Sequence, residues 1–228
     1  MKILVTAGGT NEPIDGVRRI ANMSTGQTGT VLAGHFAAMG AEVLLLHAQD
    51  SLVPVAEAGA AGRIESRSFR SFADLAGKLE EILSTREFDA VVHLAAVSDY
   101  SVTRVLIDGR DFPPGGPGKI QDVEEVVVML RKNPKLIDSI KNWSRGGNVT
   151  VVGFKLTDTP DRSVRRDQAM AQLRRGGTDL TVQNDVSDIT PDAHPAMIYG
   201  NAGFIAGTET KHEMAEVLWH LLAEGVDK

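Results

Sequence analysis

Apolar and polar positions change period along this chain, and the changes mark its elements. Residues 2–6 form a short apolar run closed by Gly8 and Gly9, which predicts a buried strand. Residues 29–39 carry apolar side chains at helical spacing, and Gly40 stands where a C-terminal cap belongs. Residues 42–47 read as a second apolar strand. Residues 72–84 place Leu75, Leu79, Ile82 and Leu83 on one side of an amphipathic helix. Residues 89–96, DAVVHLAA, read as a third strand. Continuous apolar runs suit strands covered on both faces. The alternation of strand and helix predicts an α/β, doubly wound, mostly parallel sheet.

The middle of the chain breaks this rhythm. Residues 99–120 include DFPPGGPGK, with three prolines and three glycines in the eight residues before Lys119. This predicts a mobile loop. VEEVVVML comes next as a possible strand, and KNPKLIDSIKNW reads as a helix with Pro134 near its first turn. A strand at 149–155, a charged helix at 162–175, a strand at 179–183, a hairpin at 197–199 and 203–205, and a closing helix at 211–223 complete the expected order. No internal repeat or interdomain linker stands out. One domain over 1–228, with an excursion at about 99–130, is the simplest organisation.

In an open parallel sheet, ligands bind beyond the carboxyl ends of the strands. The unusual residues fall there. The first strand opens a long connection, VRRIANMSTGQTG, far richer in hydrogen-bonding groups than a plain connector needs. Its STGQTG segment enters a helix, so backbone amides and the helix dipole offer an anion site. The alternative is that Ser24 or Thr25 only caps the helix. Neither a P-loop nor a G-x-G-x-x-G pattern is present. Lys119 is either solvated surface or a cation that closes over a polyphosphate. Arg18 and Arg19 either hold an anion or serve solubility. Asp99 either accepts from ligand hydroxyls or caps a turn. Asn22 is neutral; it either stabilises charge on a carbonyl or is a turn residue.

Composition narrows the classes further. A net charge of −6 without a dominant basic patch argues against nucleic acid as a partner. The 228 residues contain no cysteine, so thiolate chemistry and disulfides are excluded and a cytoplasmic location is expected. No apolar run approaches a membrane span or a signal-peptide core. The six histidines are scattered, which speaks against a histidine metal triad, and G-x-S-x-G is absent.

Taken together, TAGGTNEPIDGVRRIANMSTGQTG closely resembles the N-terminal signature of phosphopantothenate–cysteine ligases. The likeness continues in order through HLAAVSDY, GKI, KNPKLI, GFKL and QNDV, and so spans nearly the whole chain. That resemblance implies a Rossmann-like fold and a ligase of coenzyme A biosynthesis. Such enzymes activate 4′-phosphopantothenate with a nucleoside triphosphate, CTP or ATP with Mg²⁺, and release pyrophosphate. The amine of L-cysteine then attacks the acyl-nucleotidylate.

By resemblance, Asn22 and Lys119 are the catalytic residues. Arg18, Asn22, Ala95, Ala96 and Asp99 match substrate-binding positions. Gly8, Ser24, Gly26, Gly29, Lys119, Phe154 and Asn184 match nucleotide-binding positions, and no protein residue is expected to ligate metal. The resemblance also implies a homodimer in which Arg18 reaches the partner's site, with the excursion supplying flap and dimer contacts. A flavin-dependent decarboxylase, fused in bifunctional members, is expected on a separate protein. Met23, Gln121 and Asp122 depart from the usual pattern, as does the Ala/Gly-rich stretch AEAGAAG. Two rivals share the fold class. A nicotinamide-dependent reductase would want a glycine fingerprint and Tyr-x-x-x-Lys, whereas Tyr100 is followed by Arg104. A non-catalytic nucleotide-binding regulator would have no use for Asn22 and Lys119 together.

Overall fold

The computed structural model describes residues 1–51, 63–116 and 118–225. Its centre is an eight-stranded sheet. Strands β1 (Lys2–Ala7), β4 (Glu42–Ala48), β5 (Ile64–Phe69), β6 (Ala90–His93), β10 (Thr150–Thr157) and β11 (Leu180–Asp185) run parallel in the order β5-β4-β1-β6-β10-β11. The hairpin of β12 (Ala196–Gly200) and β13 (Gly203–Thr208) extends the β11 edge antiparallel. The chain reverses direction across the sheet between β1 and β6, which is the topological switch point.

The apolar runs are buried on both faces, as their lack of alternation requires. On one face α1 (Gln27–Ala38) and α5 (Lys211–Glu224) cover Ile3, Val5, Val43, Leu45 and Val92, with Phe36 and Leu218 fully buried among them. On the other, α2 (Phe72–Thr85) and the one-turn α3 (Ile140–Trp143) cover Leu4, Leu44, Leu46, Val91 and Val151. Helix α4 (Arg162–Arg174) packs on β10 and β11. The register on α2 is the one its spacing predicts, with Leu75, Leu79, Ile82 and Leu83 buried.

Four expectations need correction. The 99–120 segment is not one loop. Tyr100–Ile107 and Arg110–Phe112 pair as β7 and β8 around Asp108-Gly109, both in left-handed backbone, and β7 also pairs with β9 (Val126–Lys132). The Gly/Pro signal belongs only to the stretch after β8. Second, β5 went unpredicted. It is an edge strand with Glu65, Ser66, Arg67 and Ser68 exposed, so it lacks the apolar run that marks its neighbours. Third, KNPKLIDSIKNW forms a 3₁₀ turn at Leu136–Asp138 before α3 rather than one helix. Fourth, the strand expected at 89–96 ends at His93, where the backbone turns into the cleft. The Ala/Gly-rich stretch after β4 lies outside the described residues.

A short hairpin, β2 (Asn11–Pro13) with β3 (Arg19–Ala21), rises from the end of β1. Glu12 is buried beneath it and accepts from the Phe72 amide at 2.8 Å, tying the hairpin to the start of α2.

Candidate active site

The carboxyl ends of β1, β6, β10 and β11 open into one cleft of about 950 Å³. Backbone bonds stitch its floor across the switch point. Ala96 N donates to Gly8 O at 2.9 Å, and Thr10 N donates to Ala96 O at 3.1 Å. The Thr10 hydroxyl accepts from Ser98 N at 2.9 Å.

One wall is the N-terminus of α1. The other long helices are closed by side chains, α2 by Ser71, α4 by Asp161 and α5 by Thr210. Helix α1 has Gly26 as its N-cap at φ 75°, no side-chain cap, and no acidic residue in its first turn. Ser24 therefore does not cap it, and Thr25 contributes only a long 3.3 Å contact to Gln27 N. The first-turn amides and the positive helix end face the cleft, a natural anion site. A left-handed Gly26 suits this turn, since a Cβ there would lie 2.8 Å from Ser51 Cβ. Gly29 has a different reason to be glycine. A Cβ would meet Ala7 Cβ at 2.5 Å, so Gly29 lets α1 press onto β1.

The structure brings most of the sequence-expected residues together. Gly8, Asn22, Ser24, Gly26, Gly29, Ala95, Ala96, Asp99, Phe154 and Asn184 all line this cleft. Asn22 Nδ2 donates to Ala96 O at 3.1 Å, leaving its second N–H and its oxygen for a ligand. Arg18 and Lys119 are not in it. They share a separate groove of about 570 Å³ with Ile14, Ile120 and Val126. Tyr100 and Arg104 lie on the excursion strand β7, where Arg104 pairs with Asp111, so no Tyr-x-x-x-Lys-like pair faces the cleft.

Further residues line the cleft, and of these Lys135, Arg175 and His194 were not among those expected there. Lys135, Lys155 and Arg175 converge on the wall near Asp99. Lys135 forms an ion pair with Asp99. Burial lowers the Lys155 pKa, and the neighbouring charges of Lys135 and Arg175 lower it further against the pull of Asp99. KNPKLI and GFKL carried the signal, because position beside a strand's carboxyl end assigns Lys155 to this rim. His194 also lines the cleft, with Nε2 at 2.8 Å from Asn184 Nδ2. Burial first, and then Lys211, hold its pKa below the ordinary value.

His93 lies at the floor. Its Nδ1 is 2.9 Å from the Thr6 hydroxyl, which itself accepts from Ala95 N at 3.1 Å. The hydroxyl hydrogen is thus free to point at Nδ1, which places the imidazole proton on Nε2. Burial pushes the His93 pKa down to about 4, so the ring is neutral near pH 7.

Behind the cleft, Asp185 locks the ends of β10 and β11. It accepts from Thr157 Oγ1 at 2.6 Å, Ser187 Oγ at 2.6 Å and Thr159 N at 3.1 Å, and it pairs with Arg165 at 3.2 Å. Burial pushes its pKa up, but bonds from Ser187 and Thr157 prevail and hold the carboxyl well below the usual range.

Asp99 is the only carboxylate among the described residues lining the cleft. No group of three or more His, Cys, Asp or Glu among the described residues is arranged to hold a metal ion. A hard divalent cation here would depend on oxygens of the ligand, with Asp99 as the one protein candidate. No helix among the described residues is long and apolar enough to cross a membrane.

Residues 1–226 match the family described as the DNA/pantothenate metabolism flavoprotein C-terminal domain. The chain belongs to this family. It is similar to the coenzyme A biosynthesis bifunctional protein CoaBC of Thermococcus kodakarensis, 31% identical over 219 residues, covering 96% of this chain and 50% of that one. The Mycobacterium tuberculosis CoaBC is 32% identical over 190 residues, covering 82% and 42%. The chain thus spans about half the length of these curated relatives. The crystal structure of the DNA/pantothenate metabolism flavoprotein from Streptococcus pneumoniae superposes with a TM-score of 0.85 at 28% identity, covering 98% of this chain and 99% of that one. A Cab2 variant in complex with phosphopantothenate-cysteine shares the fold, with a TM-score of 0.75 at 19% identity and coverage of 98% and 86%. Membership of the DNA/pantothenate metabolism flavoprotein family and the Rossmann-like sheet agree with the expectation from sequence.

Proposed function

We propose that this chain joins 4′-phosphopantothenate to L-cysteine through an acyl-nucleotidylate formed from CTP or ATP. The observation that carries the reading is the uncapped N-terminus of α1 facing Asn22 and Ala96 across one cleft, in a chain of this family. A phosphorylated acid and a nucleotide both need such an anion site beside a carbonyl-binding amide. The chain covers 50% and 42% of the two CoaBC relatives, whose names describe them as bifunctional, and one of two activities is what a share of that size would hold. We read residues 1–228 as one ligase domain.

In the first step a carboxylate oxygen attacks the α-phosphorus and the bond to pyrophosphate breaks. The carboxylate is already ionised near neutral pH, so this step needs alignment and charge neutralisation rather than a strong base. Gly8, Ser24, Gly26 and Gly29 shape the phosphate loop, with Phe154 and Asn184 toward base and ribose. Lys119 brings positive charge to the leaving pyrophosphate. Mg²⁺ carried on the triphosphate would supply further charge neutralisation, and Asp99 is the carboxylate of the described cleft residues that would be available to it.

In the second step the cysteine amine attacks the acyl carbon, the acyl–oxygen bond breaks, and the nucleoside monophosphate leaves. The amine gives up a proton to solvent as the amide forms. Asn22 stabilises the negative charge on the carbonyl oxygen, while Ala95, Ala96 and Asp99 hold the substrate.

We also read the protein as a cytoplasmic homodimer in which Arg18 reaches the partner's site. Exposed Val126 and Leu130 on one face of β9, with Val127 and Met129 on the other, leave apolar surface on the excursion that a second copy would cover. The location of Arg18 and Lys119 outside the cleft of a single chain is consistent with a site completed by a second copy.

The test is pyrophosphate release with phosphopantothenate and Mg²⁺, with CTP and ATP in parallel, with and without cysteine. Cysteine-stimulated release with one nucleotide supports the ligase and names its co-substrate. Nucleotide binding without release would point to a regulator.

A further inference from the structure

The groove that holds Arg18 and Lys119 is organised around one buried carboxylate. Asp15 is 9% exposed. Its Oδ1 accepts from Val17 N at 2.7 Å and Arg18 N at 2.6 Å. Its Oδ2 accepts from Arg18 Nη1 at 2.7 Å and from Ile120 N at 2.9 Å. The last bond spans 105 residues, from the β2–β3 turn to the residue after Lys119. Arg18 Nη1 reaches the same segment, donating to Ile120 O at 3.1 Å.

The two segments also touch through backbone. Gly16 N donates to Gly118 O at 2.9 Å, and Gly115 N donates to Ile14 O at 3.2 Å. A Cβ on Gly16 would come within 2.8 Å of Gly118 O, so the approach requires glycine. The amides of Ile120 and Arg18 hold the Asp15 carboxyl well below the usual carboxylate range, against the opposing effect of burial. The group is therefore a fixed anion near pH 7 and is not used for proton transfer.

We infer that Asp15 is a positioning residue that clasps the Arg18 turn to the Lys119 segment, so that both cations are presented as one unit. The inference rests on the proposed roles of Arg18 and Lys119. A carboxylate satisfied by four donors from two segments fixes their spacing more tightly than either loop could alone. Arg18 remains 43% exposed at its side chain, so its unused nitrogens stay available to a ligand.

Asp15→Asn keeps the shape but loses two of the acceptor positions. It is expected to raise hydrogen exchange at the Ile120 amide by about tenfold or more, because that amide loses its acceptor. It is expected to slow pyrophosphate release by about tenfold, and by less than about twofold when Lys119 is already Gln. Asp15→Glu is expected to recover part of the exchange protection.

Losses that multiply fully in the double variant would overturn the coupling, and unchanged Ile120 exchange would overturn the clasp itself. Should Asp15→Asn fail to fold, Gly16→Ala separates the same segments by steric pressure and must give the same two results. The exchange measurement needs no substrate. Failure of the wild type to release pyrophosphate would remove the ligase reading while leaving the clasp tested on its own.

Discussion

The Asn22 carboxamide donates from Nδ2 to the backbone carbonyl of Ala96 at 3.1 Å, joining two loops 74 residues apart in sequence. The bond spans the switch point of the sheet and holds a neutral donor over the cleft floor. Its remaining N–H is suited to an oxygen that gains negative charge during acyl transfer.

Asn22→Ala should therefore separate the two proposed steps. Pyrophosphate release should persist, because activation does not pass through an acyl oxyanion held by Asn22. Overall ligation should fall by roughly 10²–10³-fold, the cost of losing one such donor. Acid quench and mass spectrometry should find accumulated acyl-nucleotidylate. Loss of pyrophosphate release with nothing accumulated would move Asn22 out of the second step.

Lys119→Gln should act on the other step. Lys119 is exposed, and among the described residues its side chain makes no hydrogen bond or ion pair, so stability should change little. The pyrophosphate burst should slow by roughly tenfold or more if its charge serves the leaving group. An unchanged burst removes Lys119 from the mechanism.

Asn22 and Lys119 were picked out in the sequence by their place in motifs that resemble the ligase family; position alone left each open, Asn22 as a turn residue and Lys119 as solvated surface, and only Asn22 lies on the rim that topology predicts. Apolar strands and amphipathic helices were legible for the same reason that they fold: their burial is written as a period. Strand β5 was not, because an edge strand with Glu65 and Arg67 outward has no such period. The β7–β8 hairpin was hidden by the glycines and prolines just beyond it. Lys135, Arg175 and His194 were missed because they come from three separate segments. Only the folded sheet brings them beside Asp99 and Asn184.

The glycines of α1 offer a sharper check on packing. Gly34 has open space where a Cβ would go, and it lies in the helix interior. Gly34→Ala should stabilise by about 0.4–1 kcal/mol, through helix propensity and a less flexible unfolded chain. Gly29→Ala makes the same chemical change five residues earlier but drives a methyl to 2.5 Å from Ala7 Cβ. It should destabilise by about 1–3 kcal/mol. Urea midpoints for the two variants should move in opposite directions. Equal shifts would mean that α1 does not press on β1 at Gly29.

His93 gives the pH dependence its sign. Burial holds its folded pKa near 4, whereas an exposed histidine titrates near 6.5. As pH falls below about 6.5, the unfolded chain binds a proton that the folded protein refuses. Stability from this group is therefore full above about pH 6.5 and declines toward about pH 4, by about 3 kcal/mol in total. His35 and His194 are also lowered by burial and add slope of the same sign, so wild type alone would not isolate His93. His93→Gln removes this titration and shifts stability by a further amount that does not depend on its own charge. The difference in urea unfolding free energy between wild type and His93→Gln should thus change between about pH 7.5 and about pH 5, in the direction that favours the variant at low pH. A pH-independent difference would mean that the ring at the cleft floor accepts a proton in place and that burial does not keep His93 neutral.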